Sequence, residues 1–574
     1  MKRFQLLLGS FSLWIFLLSF GMNVLAAVYE VGPGRPYSAI GQVPWSDLSP
    51  GDKVLIYYRS APYHEKWVID RAGTPQNPIV IKGVAGPGGE LPVIDGENAI
   101  TSTNLDFWSE ERGIINIGGS NKSSQIPKSI VIENLDIRKA RPPYGFKDDH
   151  GTWKNYSNNA AAIYIIEGEG ITIRNCRIHD CANGIFACHA SANVTIEYCY
   201  IFGNGMEGSY YQHNTYTEAN GIIYQFNHFG PLRAGCGGNN LKDRSAGTVI
   251  RYNWIEGGNR QLDLVDSSYQ ELIKLPGYRK TYVYGNVLIE QSDEGNSQIM
   301  HYGGDSGDLS RYRKGTLYFY NNTVVSKRTS NTTIFRLSSS YETCVATNNI
   351  FYVTATGGHL ALSNRDGVVK LRNNWLRGGW VKSHEGPGFN GQVVDLGGNL
   401  SGNDPGFEDL SAMDLSLKDG SPCIDSGTNE IEGAAPNHPL SMQYVKHQKS
   451  EPRPTDSKVD IGAFEKNKNV GNSAPVITSF SANPSTVENP GVFVWFSSVA
   501  GDPDGDSLFY KIEFGDGTAA YKPNCGHRYW KKGTYNALLT VTDEKGAKAT
   551  SSLSVVVKDA PPGTPKGLSV KPKK

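Results

Sequence analysis

The sequence predicts an all-β chain: a right-handed parallel β-helix, a solenoid of stacked coils, followed by a smaller β-sandwich. Three observations lead there. One phrase recurs nine times between Ile132 and Leu376: an apolar residue, two positions, a small or polar residue, one position, and a closing apolar residue. It reads IENLDI (132–137), IRNCRI (173–178), IEYCYI (196–201), YQFNHF (224–229), IRYNWI (250–255), VYGNVL (283–288), FYNNTV (319–324), ATNNIF (346–351) and LRNNWL (371–376). Such short, slightly irregular spacing marks a solenoid with loops of varying length. Second, the fourth position of the phrase is Leu135, Cys176 and Cys199, then six asparagines: Asn227, Asn253, Asn286, Asn322, Asn349 and Asn374. In stacked coils each amide would lie about 4.8 Å above the last and hydrogen-bond along the stack. Third, the repeats are rich in Val, Ile, Tyr, Phe and Thr, alternate apolar with polar, and end at Gly, Asn or Asp. Antiparallel meanders, as in a propeller or sandwich, would not keep one asparagine column through residues 227–374.

The elements follow in order. Lys2 and Arg3 precede an apolar run from Phe4 to Phe20, and Val24-Leu25-Ala26 fits the small-residue cleavage rule. Residues 1–26 are therefore expected to be a signal peptide, with a retained anchor as the alternative. No other stretch approaches the ~20 apolar residues needed to span a membrane. The mature chain is expected to be secreted or cell-surface, with the periplasm open, and monomeric.

Residues 27–466 read as the solenoid with its cap and closing segment. In 28–100, SPGDKVLIYY, NPIVIKG and LPVIDG alternate strands with Gly/Pro turns. This opening resembles that of many secreted β-helix proteins, where a "PGD" turn precedes the first strand. Residues 101–160, with FWSEERG and RPPYGFKDDHGTWKNY, read as a long irregular insertion leaving the stack as loops. NDPGFEDL, GSPCIDSG and VDIGAFE, spread over 403–465, resemble the terminal segment of bacterial β-helix proteins, with Cys423 in place of the usual small residue.

A polar linker (467–473) leads to a second domain at 474–559, and a Pro/Lys/Gly-rich tail (560–574) is expected to be disordered. GDPDGDSLFYKIEFGDG and HRYWKKGTYNALLTVTDEKG resemble the PKD-type immunoglobulin-like sandwich. Ile512-Glu513 stands where that family has Trp-Asp, and Arg528 is inserted between His527 and Tyr529. Asp502, Asp504 and Asp506 alternate with turn residues, which suits Ca2+ ligation or a solvated acidic turn.

Composition limits the function. Lys+Arg and Asp+Glu both total 56, so the chain lacks the basic excess of a general nucleic-acid binder. Eight cysteines in 574 residues are no disulfide scaffold, and there is no CxxC pair. Cys176 and Cys199 could be stacked thiols or a bridge, and Cys181 could pair with Cys188.

The strand before each phrase supplies a second column. If the first residue of each pair faces in, the outward row is Tyr164, Phe186, Tyr216, Lys242, Asp263, Met300 and Phe335. His213, Glu218, Arg233, Arg244, Arg260, Asp266 and His301 lie close in sequence. Aromatic rings stack on sugar faces, and cations neutralise a uronate carboxylate, acidifying the neighbouring C–H. A base then takes that proton and the glycosidic oxygen departs. Lys242 would be such a base if Arg233, Arg244 and Arg260 lower its pKa. His213 and His301 are further acid or base candidates, with Arg244 assisting. Tyr216, Phe186, Arg233 and Arg260 are candidate substrate contacts. Asp263 and Asp266 could be paired carboxylates for hydrolysis or Ca2+ ligands.

The stretch 237–267, GGNNLKDRSAGTVIRYNWIEGGNRQLDLVDS, resembles the catalytic coils of β-helix polysaccharide lyases of the alginate and chondroitin type. The resemblance puts Lys242 on that family's base position and Asp263 where its Arg acid is expected. A carboxylate there would repel a uronate unless Ca2+ bridges them. The expectation is a lyase acting on an acidic, uronate-containing polysaccharide, with Ca2+ as the only cofactor in view. The alternatives are a glycoside hydrolase, esterase or epimerase on the same scaffold, or a non-catalytic extracellular glycan-binding or adhesive protein.

Overall fold

The computed structural model describes residues 26–292, 295–433, 437–455, 458–466 and 472–558. Nearly all of the expected signal peptide, most of the linker and the expected tail lie outside these residues. The described chain is all-β apart from one short helix (Gln270–Ile273) and a few single turns. Among the described residues no helix is long and apolar enough to cross a membrane.

The nine phrases are the corners of a parallel β-helix. In each, one strand ends, two residues turn, and a short strand joins a second sheet: Ala246–Arg251 is followed by Trp254–Glu256, for example. The closing apolar residues stack in direct register: Ile137, Ile178, Ile201, Phe229, Ile255, Leu288, Val324, Phe351 and Leu376. The turn has a cause. The third residue of every phrase (Asn134, Asn175, Tyr198, Phe226, Tyr252, Gly285, Asn321, Asn348 and Asn373) has φ between 49° and 66°. That left-handed conformation is cheap for Gly and Asn, hence five Asn and one Gly.

The asparagine column is a buried ladder. Asn227 Nδ2 donates to Asn253 Oδ1 (2.9 Å), Asn253 to Asn286 (2.9 Å), Asn286 to Asn322 (3.0 Å), Asn322 to Asn349 (3.0 Å) and Asn349 to Asn374 (2.9 Å). It runs one rung further, from Asn374 to Asn399 (3.0 Å). Each Oδ1 also accepts a backbone N–H of the coil below, as Asn286 does from Asn253 (2.9 Å). The ladder thereby saturates the polar groups of corners that point into an apolar core. Cys199 continues it downward, its N–H donating to Asn227 Oδ1 at 2.9 Å. All eight cysteines are free thiols, so neither suggested bridge forms.

The 101–160 region departs from expectation. Gly113–Ile117 pairs with Trp67–Ile69 and Ala161–Ile165, and Lys128–Glu133 with Ile79–Lys82 and Glu169–Arg174, all in parallel. These two strands are therefore part of the solenoid, because Ile114, Ile115, Ile117, Ile130 and Ile132 are all core residues. Gly145–Lys147 and Trp153–Asn155 form an antiparallel hairpin, and Phe107 bridges Ser120 antiparallel. The closing segment docks on the last corners: Ala463 N donates to Thr323 Oγ1 (3.0 Å) and Gly462 N to the Asn348 carbonyl (2.8 Å). The C-terminal domain is an immunoglobulin-like sandwich of one three-stranded and one five-stranded sheet around its own core.

Candidate functional site

Parallel pairing puts one residue per coil into an outward row: Tyr164, Phe186, Tyr216, Lys242, Asp263, His301 and Arg336. The first five are as expected. The last two differ by one residue: Met300 pairs with Leu262 and with Phe335, and both are fully buried. A one-residue slip exchanges the faces of a strand. The pairs Ile299-Met300 and Ile334-Phe335 are apolar and buried throughout, so hydrophobicity carries no phase there. His301 thus belongs to the row rather than its border.

The row floors a groove of about 1150 Å³. Arg112, Asn158 and Asn159 come from the 101–160 region and form part of its lining, as do Tyr210, Tyr211 and Tyr269. Arg112 lies over the Tyr164 and Phe186 rings at 4.6 and 4.9 Å from their centroids.

The centre is a charge network. Lys242 Nζ donates to Asp263 Oδ2 (2.6 Å) and Asp305 Oδ2 (2.7 Å). Asp263 also accepts from Asn239 Nδ2 (2.8 Å) and His301 Nδ1 (2.9 Å). Arg244 donates through Nε to the Tyr216 phenol oxygen (3.0 Å) and through Nη2 to Asp305 Oδ1 (2.8 Å). Behind them Asp266 is fully buried and accepts from Asp305 N (2.7 Å) and Ser306 N (3.3 Å), fixing the turn that carries Asp305.

The network sets the protonation states. Burial alone would lower the Lys242 ammonium, but Asp263 and Asp305 outweigh it and Arg244, and its pKa is raised. The expected lowering by neighbouring arginines is overturned: Lys242 is a fixed cation. Burial would raise the Asp263 carboxyl, yet Lys242 and His301 hold it well below the usual range. Asp305 is likewise held low, by Lys242 and Arg244 against burial. Burial, aided by the Lys242 charge, pushes His213 down to about 3. Its Nδ1 accepts from Asn239 N (2.9 Å), so neutral His213 carries its proton on Nε2. Burial also lowers His301, against the pull of Asp263.

Of the predicted residues, Phe186, His213, Tyr216, Lys242, Arg244, Arg260, Asp263 and His301 line one groove. Arg233 does not: it is bound to Asp180 and donates through Nε to the Gly205 carbonyl (2.9 Å). Asp263 and Asp266, the candidate Ca2+ ligands, each accept from protein donors through both carboxylate oxygens. Asn239, Asp305 and Arg336 were not singled out from sequence. Only Arg336 had a findable signal, one position from the assumed register. Asp305 reaches Lys242 from a turn 63 residues away.

Among the described residues three buried atoms on groove-lining residues lack a hydrogen-bond partner, one of them the donor Arg112 Nε. Gln212 Oε1 and Asn239 Oδ1 are buried acceptors with no donor, and both residues line the groove.

In the sandwich, carboxylate oxygens of Asp502, Asp504 and Asp506 lie within 4.8 Å of one another. Asp502 Oδ2 and Asp506 Oδ2 are buried without a hydrogen-bond donor, while Lys545 Nζ approaches Asp506 Oδ1 at 3.0 Å. This oxygen set fits a hard cation such as Ca2+.

Comparison with known proteins agrees with this architecture. Residues 93–288 match the family described as the right-handed β-helix region, and residues 472–557 match the PKD domain. Collagenase ColQ1 of Bacillus cereus (strain Q1) is 40% identical over 58 residues, 10% of this chain and 6% of the collagenase. The chain therefore spans only a small fraction of that relative. The PKD1 domain of Vibrio anguillarum Epp is 30% identical, covering 15% of this chain and 98% of that one, with a TM-score of 0.13. The GH136 lacto-N-biosidase from Eubacterium ramulus is 14% identical over 66% of this chain and 68% of its own, with a TM-score of 0.38. The pectin methylesterase from Aspergillus niger is 12% identical over 69% and 90%, with a TM-score of 0.26.

Proposed function

We propose that the chain is an extracellular carbohydrate-active enzyme whose groove takes a uronate-containing polysaccharide and cleaves it by β-elimination. The observation that carries the reading is the pair of buried orphan acceptors, Gln212 Oε1 and Asn239 Oδ1, on residues that line the groove with Tyr216. A buried acceptor without a donor costs about 1–3 kcal/mol, and a sugar hydroxyl supplies the donor. Exposed Tyr210 and Tyr211 offer rings for sugar faces, and Arg112, Arg244, Arg260 and Arg336 offer guanidinium groups for carboxylates.

Elimination suits the protonation states better than hydrolysis. Hydrolysis by two carboxyls needs one protonated acid, but Asp263 and Asp305 are both held ionised. For elimination the arginines neutralise the uronate carboxylate and acidify its α C–H. Tyr216 Oη, already accepting from Arg244 Nε, acts as the base for that proton. The C–H electron pair forms the ring double bond, the C–O bond breaks, and the leaving oxygen recovers the proton from Tyr216. Lys242 and neutral His213 supply fixed positive charge and an Nε2–H donor at the oxyanion that develops.

The test is incubation of the purified protein with alginate, pectate and glycosaminoglycans, with and without EDTA. New ultraviolet absorbance from the unsaturated uronate is expected. Reducing ends without absorbance would mean hydrolysis. Neither product, with binding retained, would mean a glycan-binding or adhesive protein.

A further inference from the structure

We propose that the outer face of the three-stranded sheet in the C-terminal sandwich is a second glycan-binding surface, taking an acidic polysaccharide across an aromatic platform. The strand Phe493–Gly501 alternates: Val494 and Phe496 enter the core, while Phe493 and Trp495 point out, 47% and 50% exposed. Its antiparallel neighbour places Arg528 opposite Phe493 and Gly526 opposite Trp495. A Cβ at residue 526 would lie 1.7 Å from Phe493 Cε1, so only glycine lets that ring lie flat on the sheet. Beyond the strand Tyr529 turns inward and Trp530 outward, 65% exposed. The Trp530 ring rests beside Gly491, 3.1 Å from where a Cβ would stand.

Arg528 ties the rings together. Its guanidinium carbon lies 4.9 Å from the Phe493 ring centroid, and Nη1 donates to the Gly491 carbonyl at 2.7 Å. Among the described residues it has no carboxylate partner. Three aromatic faces and one uncompensated guanidinium thus form one surface, levelled by two glycines.

Exposed apolar patches of this kind mark interaction sites. The charge selects the occupant. Flat rings match the C–H faces of sugars, and a guanidinium with free donors matches a carboxylate bidentately. A second copy of the chain fits worse, because the residues named on this patch offer Arg528 no carboxylate across a two-fold contact. The preference for an acidic glycan rests on the reading of the groove; the platform itself does not.

The experiment is affinity electrophoresis of the full chain through gels containing alginate, pectate, a glycosaminoglycan or neutral dextran. Retardation by an acidic glycan is expected. The W495A/W530A double variant should bind at least about tenfold more weakly, since two stacking faces are lost. It should still cleave short oligosaccharides at the normal rate. Arg528→Gln should bind acidic and neutral chains alike, and Tyr216→Phe should be retarded like the unaltered protein. If no glycan is cleaved but the double variant alone loses retardation, the platform stands and the groove reading falls. Equal retardation of the double variant and the unaltered protein overturns the proposal. So does a dimer in sedimentation that the double variant dissolves, which would make the patch a self-association surface.

Discussion

Lys242 and Asp263 lie directly opposite each other on neighbouring coils, with Nζ 2.6 Å from Oδ2 and 7% and 2% of their surfaces exposed. An outward-facing lysine is ordinarily an exposed one that contributes little to stability. The pair is instead buried, so removing one partner leaves a desolvated charge.

Lys242→Ala should therefore destabilise the solenoid by about 3 kcal/mol, as well as abolish activity. Thermal unfolding followed by circular dichroism checks this. Replacing Lys242 and Asp263 together by Met and Leu should recover part of the loss, since no lone charge remains. An unfolding temperature unchanged by Lys242→Ala would mean the pair is open to water.

Tyr216→Phe should remove product formation while leaving stability within about 1 kcal/mol, because the lost contact is a single hydrogen bond from Arg244. Initial rates of ultraviolet-absorbing product, with unfolding measured on the same sample, separate the two effects. Normal turnover in this variant would reassign the proton transfer.

The pH dependence has a definite sign. His213 has its pKa lowered to about 3 in the fold, against about 6.5 for a free imidazole. As pH falls below about 6.5 the unfolded chain binds a proton that the folded one refuses, so stability declines from there towards pH about 3. Asp263, also held low, contributes stability above the free carboxyl value of about 3.9 that is lost on further acidification. His213→Asn should flatten the upper limb and Asp263→Asn the lower. Urea midpoints from pH 7 to 3 would show whether the limbs separate.

Asn286→Leu should cost a few kcal/mol. Asn286 gives its amide to Asn322 Oδ1 and the Ile250 carbonyl, and accepts from both nitrogens of Asn253. A leucine leaves these buried partners unsatisfied. Urea denaturation measures it; a change below about 0.5 kcal/mol would show that the corner relaxes.

The fold was legible because a solenoid repeats its constraints. Every corner needs a left-handed residue and an apolar stop, and the six from Asn227 to Asn374 add a ladder amide, so the same positions recur in sequence and align in space. Asn227 to Asn374 and Ile137 to Leu376 could be placed without coordinates. The site was legible only where polar residues interrupt that pattern. Tyr216, Lys242 and Asp263 stood out because each follows an inward residue, Thr215, Leu241 or Leu262, in one register of consecutive coils. The phase was lost at Met300 and Phe335, where both faces are buried. What the tertiary structure alone decided is the partner of each charge. Asp305 comes from a turn held by Asp266 and, with Asp263, makes Lys242 a cation rather than a base, while Asn239 donates to Asp263 from the coil between His213 and Asp263. Such pairings depend on where loops of unequal length end in space, and no local rule of spacing encodes that.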